Sequence, residues 1–138
     1  VVTSGTYLEL RCPFNDAVYD PLRNLIYATT PTRAGPGGNS LAIIDADTGH
    51  LEGRIAIGAE PTHVALSPDG ARAYVATPEA SSLVVIDLAL QSVETRLPLG
   101  FAVEEPGHLP YPLTSELSAV SPLDSNDLIV LARDRYRL

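Results

Sequence analysis

Histidine and acidic side chains carry the candidate chemistry of this sequence of 138 residues. Glu60 and His63 lie close together, and Glu104, Glu105 and His108 form a second small group. Imidazole nitrogens and carboxylate oxygens can bind a divalent metal ion, so these five residues are candidates for one binding site. No spacing typical of a metal site, such as two histidines one helical turn apart, supports that interpretation. Separate hydrogen-bonded or exposed side chains explain the same residues more simply.

A second candidate is the acidic pair Asp45 and Asp47, which are separated by one residue, as the oxygen ligands of calcium loops are. The stretch lacks the longer run of ligands and the distal glutamate of such loops. A hairpin turn explains it more simply, because an aspartate bonds its local backbone and Gly49 tolerates a positive φ. Asp87 repeats the position of Asp45 at an offset of 42 residues.

The sequence contains no nucleophile elbow, phosphate-binding loop, paired-cysteine metal site or catalytic-triad spacing. We therefore predict no catalytic residue and no bound cofactor, with a divalent metal ion as the alternative. Cys12 is the single cysteine, so an internal disulfide is impossible and the redox compartment stays open. We expect Cys12 to be a small buried apolar side chain.

The formal net charge of −8 restricts the classes of partner. Asp and Glu number 17 against 9 Lys and Arg, and a surface of that sign repels phosphate backbones, so we expect no nucleic-acid binding. No run approaches the roughly 18 apolar residues of a transmembrane helix. No signal peptide is visible, although a leader that had been removed would leave no trace.

Short β-prone runs separated by turn residues predict an all-β fold. Two repeats of four strands are predicted, at residues 16–19, 25–30, 40–45 and 51–57 and at residues 63–66, 72–77, 82–88 and 92–99. Tyr27 and Tyr74 recur at an offset of 47 residues, whereas Asp45 and Asp87 recur at an offset of 42. The two offsets differ because the first repeat contains extra residues in the Gly- and Pro-rich loop Thr32–Gly38. A period of about 42 residues is typical of a four-stranded propeller blade.

These repeats divide the chain into a leading strand at 1–13, blades at 14–58 and 59–100, and a partial blade at 101–138. The last segment opens with a long loop, Phe101–Thr114, and continues with predicted strands at 117–120 and 128–132. The sequence thus predicts two and a half to three β-propeller blades of four antiparallel strands, an incomplete ring. Because Tyr27 and Tyr74 recur at one strand position, we predict that they pack between blades.

The second repeat resembles a known family. Its Ser-Pro-Asp-Gly-Ala-Arg-Ala-Tyr-Val-Ala-Thr stretch at 67–77, followed by Ser-Leu-Val-Val-Ile-Asp at 82–87, resembles the YVTN-type β-propeller repeat of lactonase-like and surface-layer propellers. The stretch at 15–21 with Leu-Ile-Tyr-Ala at 25–28 is similar to the opening blade of secreted bacterial propellers. The resemblance covers 15–100 and implies a bacterial protein outside the cytoplasm, periplasmic or at the cell surface. Such repeats are scaffolds in most members and carry enzymes in few, and the family usually closes its ring with seven blades.

An incomplete ring is expected to leave an apolar blade face open at each end. We therefore predict a non-enzymatic scaffold for protein–protein interaction, a subunit or fragment of a larger assembly. Further blades, a protein partner or a second copy in a composite ring would cover the open edges. The alternative is a lactonase-like metal-dependent hydrolase, in which acids and histidines at the channel mouth bind the metal.

Both enlarged loops are predicted on one face, because the loops after the second and fourth strands of an antiparallel blade lie on the same side. Thr32–Gly38 and Phe101–Thr114 occupy those positions, and His108 lies in the second of them. His63 opens an innermost strand near that face. Binding loops are often carried by a rigid scaffold, which favours this face as a binding surface, although tolerated variation in loop length explains the loops equally well. His50 is expected in solvent on the opposite face.

Overall fold

The computed structural model describes residues 12–80 and 82–98 and two later strands. Ten strands are described: β1 Ala17–Asp20, β2 Leu25–Thr30, β3 Ser40–Asp45, β4 Leu51–Ala56, β5 His63–Leu66, β6 Arg72–Thr77, β7 Ser82–Asp87, β8 Ser92–Pro98, β9 Glu116–Pro122 and β10 Leu128–Arg133. Single-turn 3-10 helices, Thr32–Ala34 and Pro78–Ala80, follow β2 and β6. The described residues contain no α-helix, and none of their helical turns is long and apolar enough to cross a membrane.

The strands form two four-stranded sheets with the same topology. Blade A has the order β1-β2-β3-β4 and blade B the order β5-β6-β7-β8, each strand pairing antiparallel with its neighbour in sequence. A third, two-stranded sheet pairs β9 with β10. The prediction of an all-β fold built from four-stranded blades is confirmed. The predicted leading strand lies outside the described residues.

The loop after β2 begins with a helical turn that the sequence did not predict. The amide of Ala34 donates to the carbonyl of Pro31 at 3.0 Å, and the amide of Gly35 donates to the carbonyl of Thr32 at 3.1 Å. Gly35 then adopts a φ of 74°, which ends the turn because that conformation suits glycine. A single turn has no apolar periodicity, so its Gly and Pro content indicated only a loop.

Each blade carries a β-bulge at the same position of the repeat. The register between β3 and β4 shifts between Ile43 and Ile44, and the register between β7 and β8 shifts between Val85 and Ile86. These positions are 42 residues apart, the offset that the sequence predicts for the second half of the blade. The repeat therefore extends to the irregularities of the sheet, and residues at this offset are structurally equivalent.

The main core lies between the two blades. Leu41 and Ile43 alternate with Ala42 along β3, and they point toward blade B together with Tyr27. Eleven buried residues form this cluster: Tyr27, Leu41, Ile43, Ile55 and Ile57 from blade A and Val64, Ala73, Val75, Val84, Ile86 and Leu88 from blade B. Both faces of the central strands are buried, which explains why β3 and β7 read as continuous apolar runs rather than alternating ones.

Each blade also has an apolar cluster on its other face. In blade A this cluster is at most 2% exposed and consists of Ala28, Ala42 and Ile44. In blade B it is at most 5% exposed and consists of Tyr74, Leu83 and Val85. The strand β9 lies beside β5 and β6 of blade B. The open apolar blade face that the sequence led us to expect is therefore not found at these six side chains. Tyr27 packs between blades A and B, as predicted, and Tyr74 occupies the equivalent position on the far face of blade B.

Candidate functional site

The predicted binding face corresponds to one edge of the two blades, which we call the upper edge. It contains the starts of β1 and β5, the ends of β2 and β4, and the segments that precede or follow them. Asn15 and Asp16 are fixed to the end of β2 by backbone hydrogen bonds of 2.9 Å with Thr29. The loop Thr32–Gly38 and His63 lie at this edge, as the strand order requires.

Glu60 holds the enlarged loop in place. Its carboxylate accepts hydrogen bonds from the amide of Thr32 at 2.6 Å, the hydroxyl of Thr32 at 2.5 Å and the amide group of Asn15 at 3.2 Å. Partial desolvation pushes the pKa of Glu60 upward, but the hydrogen bonds from Thr32 and Asn15 outweigh it and lower the pKa below its usual value. Both carboxylate oxygens are therefore engaged in shaping the loop.

Arg54 fixes the other end of the same loop. Its Nη1 donates to the carbonyl of Gly37 at 2.9 Å and lies 3.2 Å from the hydroxyl of Thr30 and 3.3 Å from that of Ser40. A Cβ at Gly38 would lie 2.6 Å from the carbonyl oxygen of Pro31, so the backbone passes too close for any side chain there. The loop is exposed at its tip and rigidly held at its base.

His63 lies beside a fixed carboxylate that the sequence analysis missed. Its Nδ1 is 3.7 Å from Oδ2 of Asp16, and both side chains are 37% exposed. The two oxygens of Asp16 also accept hydrogen bonds from the amides of Ala17 at 2.9 Å and Val64 at 3.1 Å. Asp16 therefore bridges blades A and B, and it lies beside an imidazole that is still reached by solvent.

The predicted five-residue cluster is not assembled within the described part of the chain. No group of three potential metal ligands occurs among the described residues. Glu60 and His63 share the upper edge, but Glu60 faces the loop whereas His63 faces Asp16. Glu104, Glu105 and His108 lie outside the described residues, as does the whole predicted loop at 101–114, so their part in a site stays a prediction.

The acidic stretch after β3 is a turn. Oδ1 of Asp45 accepts hydrogen bonds from the amides of Asp47 at 2.9 Å and Thr48 at 2.8 Å and from the hydroxyl of Thr48 at 3.0 Å. The bonds from Thr48 are the main cause of a lowered pKa of Asp45. Asp87 accepts from the amide of Leu90 at 2.8 Å in the equivalent turn of blade B. The hairpin interpretation is confirmed, and His50 beside it is exposed, as expected.

The opposite, lower edge holds a polar contact that sequence reasoning did not single out. Asp20 is only 1% exposed and forms an ion pair of 2.9 Å with Nη1 of Arg23. The same nitrogen donates to the carbonyl of Gly70 in blade B at 2.7 Å. The sequence pattern predicts only a turn at Asp20–Asn24. Arg23 lies 47 residues before Gly70, which is the offset of this part of the repeat. That equal spacing is the sequence signal that could have indicated a contact between the two turns.

A cleft of ≈ 540 Å³ opens beside this contact, between β1 and β5. Its walls are mostly apolar and include Val18, Leu22, Val64 and Leu66, with the buried Asp20 as a polar group. A cleft of this volume and lining can take an apolar side chain or a small molecule. The cleft is formed by residues of two blades, so the sequence of a single repeat does not predict it.

Comparisons with known proteins identify the architecture. No family model matches this sequence, and no curated protein matches it. Solved structures do match, and three that cover 66% to 91% of this chain are β-propeller proteins. The fold is that of a β-propeller. The similarity supports the propeller in general and does not distinguish a YVTN-type or lactonase-like repeat from other propeller repeats.

The matched propellers are larger than this segment. KlHsv2 with loop 6CD replaced by a Gly-Ser linker has a TM-score of 0.64 and 14% identity, over 91% of this chain and 38% of its own. Hydrazine synthase of Kuenenia stuttgartiensis has a TM-score of 0.52 and 25% identity, over 67% of this chain and 25% of its own. Apo AztD from Citrobacter koseri has a TM-score of 0.52 and 18% identity, over 66% and 26%. This propeller segment therefore spans 25% to 38% of the length of these structures.

Proposed function

We propose that this propeller segment is a non-enzymatic scaffold that mediates protein–protein interaction as part of a larger assembly. The observation that carries the proposal is the engagement of the upper-edge carboxylates in structure. Glu60 holds the loop Thr32–Gly38, and Asp16 holds the start of β5. Carboxylates that already accept hydrogen bonds from the protein shape a surface, and they have fewer acceptor sites left for a substrate.

The loop Thr32–Gly38 is the surface that we propose for contact. Its residues 32, 33 and 35–37 are exposed, while Glu60 and Arg54 fix both of its ends. A loop that is already ordered loses little conformational freedom when a partner binds, so it supports affinity without a reactive group. Arg33, at the centre of the helical turn, supplies an exposed positive charge in a chain of net charge −8.

The number of blades supports membership of a larger assembly. Two four-stranded blades and one strand pair are described, whereas the matched propellers are about 2.4 to 2.7 times as long as this chain, by the ratio of the two coverages (67% to 25%, 91% to 38% and 66% to 26%). Closing the ring protects the edge strands of a propeller. We propose that further blades, a protein partner or a second copy in a composite ring supplies that closure.

Light scattering on the purified chain over a wide range of concentration tests this proposal. We expect a mass of at least two copies that rises with concentration, because the edges associate. A well-folded chain that keeps the monomer mass at every concentration would contradict the need for a covering partner. Circular dichroism on the same samples distinguishes ordered association from aggregation of unfolded chains.

A location outside the cytoplasm is part of the proposal, and it rests on the resemblance of residues 15–100 to secreted bacterial propellers. Fractionation of the source cells with an antibody against the chain tests it. We expect the chain in the periplasmic or surface fraction, and recovery with the cytoplasmic markers would contradict this location.

A metal-dependent hydrolase of the lactonase-like class is the second candidate, favoured by the imidazole of His63 beside Asp16. One matched propeller, hydrazine synthase, is an enzyme by its name. Metal analysis of the purified chain separates the two functions, with His63→Ala and His108→Ala compared with the control His50→Ala. A scaffold gives no stoichiometric metal in any of the four proteins. Stoichiometric zinc or manganese that is lost only in the first two variants would favour the hydrolase.

A further inference from the structure

The lower edge of blades A and B is acidic. It consists of two inner turns, 20–24 and 67–71, and two outer turns, 45–50 and 87–91. These turns contain one arginine, Arg23, and five aspartates: Asp20, Asp45, Asp47, Asp69 and Asp87. Because Arg23 is paired with Asp20 at 2.9 Å, the other four aspartates set the sign of this edge.

The aspartates of this edge keep acceptor capacity. The hydrogen bonds that Asp45, Asp69 and Asp87 accept from residues 12–98 all end on Oδ1, so Oδ2 of each can accept from a partner. Hydrogen bonds from Thr48 and Ser67 are the main causes that lower the pKa of Asp45 and Asp69, respectively. Both carboxylates are therefore ionised at neutral pH.

The same edge carries large apolar side chains that are exposed to solvent. Leu22 of an inner turn is 71% exposed, and Leu90 of an outer turn is 76% exposed. Tyr19 and Leu51, at the lower ends of β1 and β4, are about half exposed. Tyr19 and Leu22 line the cleft between β1 and β5. Apolar groups that are rimmed by charge are typical of a binding surface.

Hydrogen bonds between the turns fix the walls of this cleft. In blade A the carbonyl of Asn24 accepts from the amide of Ala46 at 3.1 Å, and in blade B the carbonyl of Ala71 accepts from the amide of Leu88 at 3.1 Å. Each inner turn, which forms a cleft wall, is thus tied to the outer turn of its own blade. A surface that is ordered in advance loses little conformational freedom when it binds.

The spacing of the charges favours an extended segment of chain over a small molecule as the ligand. Adjacent strands lie ~4.8 Å apart, so each outer turn, two strands away, lies about 10 Å from the inner turn of its blade. A small molecule in the cleft does not reach the outer aspartates. An extended peptide covers that distance in about three residues.

We propose that the lower edge binds a basic segment of a partner protein, with a large apolar side chain in the cleft and lysine or arginine about three residues away. The cleft supplies the apolar contact, and the aspartates of the turns accept charge-assisted hydrogen bonds. A second copy of the chain carries the same acidic edge, so like charges oppose its docking here. The inference rests on the proposed scaffold function and adds a contact surface opposite the loop Thr32–Gly38.

Fluorescence anisotropy with labelled nine-residue peptides tests this inference on the full chain. The probe is Lys-Arg-Ser-Ser-Phe-Ser-Ser-Arg-Lys, whose phenylalanine is the anchor. One control peptide has serine in place of phenylalanine, and a second has glutamate in place of the four basic residues. We expect affinity to fall by about tenfold in the first control and binding to be lost in the second. Equal affinity for the probe and either control, or no binding of the probe, would overturn the proposal.

Two variants of the chain locate the site. Leu22→Ala shortens a cleft wall at an exposed position, so we expect the probe to bind about threefold to tenfold more weakly. Leu97→Ala, at the upper end of β8, is the matched control and should leave binding unchanged. Asp69→Asn keeps the acceptor oxygen of its turn and removes one charge, so we expect about threefold weaker binding at low salt. Unaltered binding in both Leu22→Ala and Asp69→Asn would place the peptide elsewhere, and the proposal would fail.

Light scattering on the same proteins separates this inference from the proposed scaffold function. A chain that self-associates but does not bind the probe keeps the scaffold function and loses the lower-edge site. If Leu22→Ala abolishes self-association, a second copy occupies the cleft, and the proposal of a basic partner is overturned. A chain that binds the probe as a monomer at every concentration supports the lower-edge site and contradicts the need for a covering partner.

Discussion

At the scale of single residues, Glu60 shows how a candidate ligand can be a structural group. Glu60→Gln keeps the shape but turns one acceptor oxygen into a donor, which then faces either the donors of Thr32 or the amide group of Asn15. We expect a loss of about 1 kcal/mol in the free energy of unfolding and faster exchange of the Thr32 amide. Urea unfolding and hydrogen exchange measure both effects. Glu52→Gln, on exposed β4, is the control, and an equal effect of the two variants would contradict this role.

Sequence reasoning succeeded at residues whose bonds are local and failed where bonds cross between blades. The turn at Asp45 was predicted because an aspartate side chain reaches the next few amides. Asp16 and Arg23 were missed because their partners lie 47 to 48 residues away. Glu60 was selected for the correct face, but nothing in a linear pattern shows that its carboxylate accepts hydrogen bonds from the backbone and the hydroxyl of Thr32.

At the scale of elements, the side chains of β3 decide whether blades A and B hold together. Leu41→Ala removes three carbon atoms, Cγ, Cδ1 and Cδ2, from a position that is 0% exposed in the core between the blades. We expect the free energy of unfolding to fall by about 2–5 kcal/mol, because the cavity relaxes only in part. Leu51→Ala, at a position that is 51% exposed on β4, should change it by less than about 0.5 kcal/mol. Similar urea midpoints for both variants would contradict this placement of the core.

The central strands were predictable because the residues that are buried on both of their faces form continuous apolar runs in the sequence. Ser40–Asp45 and Ser82–Asp87 are apolar on both faces, since each central strand packs against a blade or cluster on either side. The 3-10 turn at Thr32–Ala34 was not predictable, because three residues leave no periodic signal. The burial of both far faces was also missed, because it depends on what packs there and not on the repeat.

At the scale of the whole molecule, one kind of contact joins blades A and B, in which one face of blade A packs on the facing side of blade B. The cluster between A and B contains forward-facing residues of A, such as Tyr27, and backward-facing residues of B, such as Val84. The equivalent forward residue of B, Tyr74, faces away from A. The repeat offset alone predicts this arrangement, whereas the side-chain bonds of Asp16 and Arg23 across the junction between A and B are visible only in the structure.

The pH dependence of the free energy of unfolding is also a property of the whole molecule. Within residues 12–98, hydrogen-bond donors lower the pKa of four carboxyl groups, which are Asp45, Glu60, Asp69 and Glu94. A carboxyl group whose pKa is lower in the folded state stabilises the fold above its unfolded pKa, near 4, and that contribution is lost as the pH falls through the folded value. Protonation also relieves the self-repulsion of a chain of net charge −8, which acts in the opposite direction.

We expect the local donors to dominate, because the hydrogen bonds at Glu60 and Glu94 act at 2.5–3.2 Å whereas the charges of the chain are spread over its surface and screened by salt. The free energy of unfolding should therefore be nearly constant from pH 7 to about 5 and fall at more acid pH. Urea unfolding at a series of pH values measures this, and Glu60→Gln should show a shallower fall than the unaltered chain, since it lacks one of the four groups. A chain that becomes more stable below pH 4 would show that relief of repulsion is the larger effect.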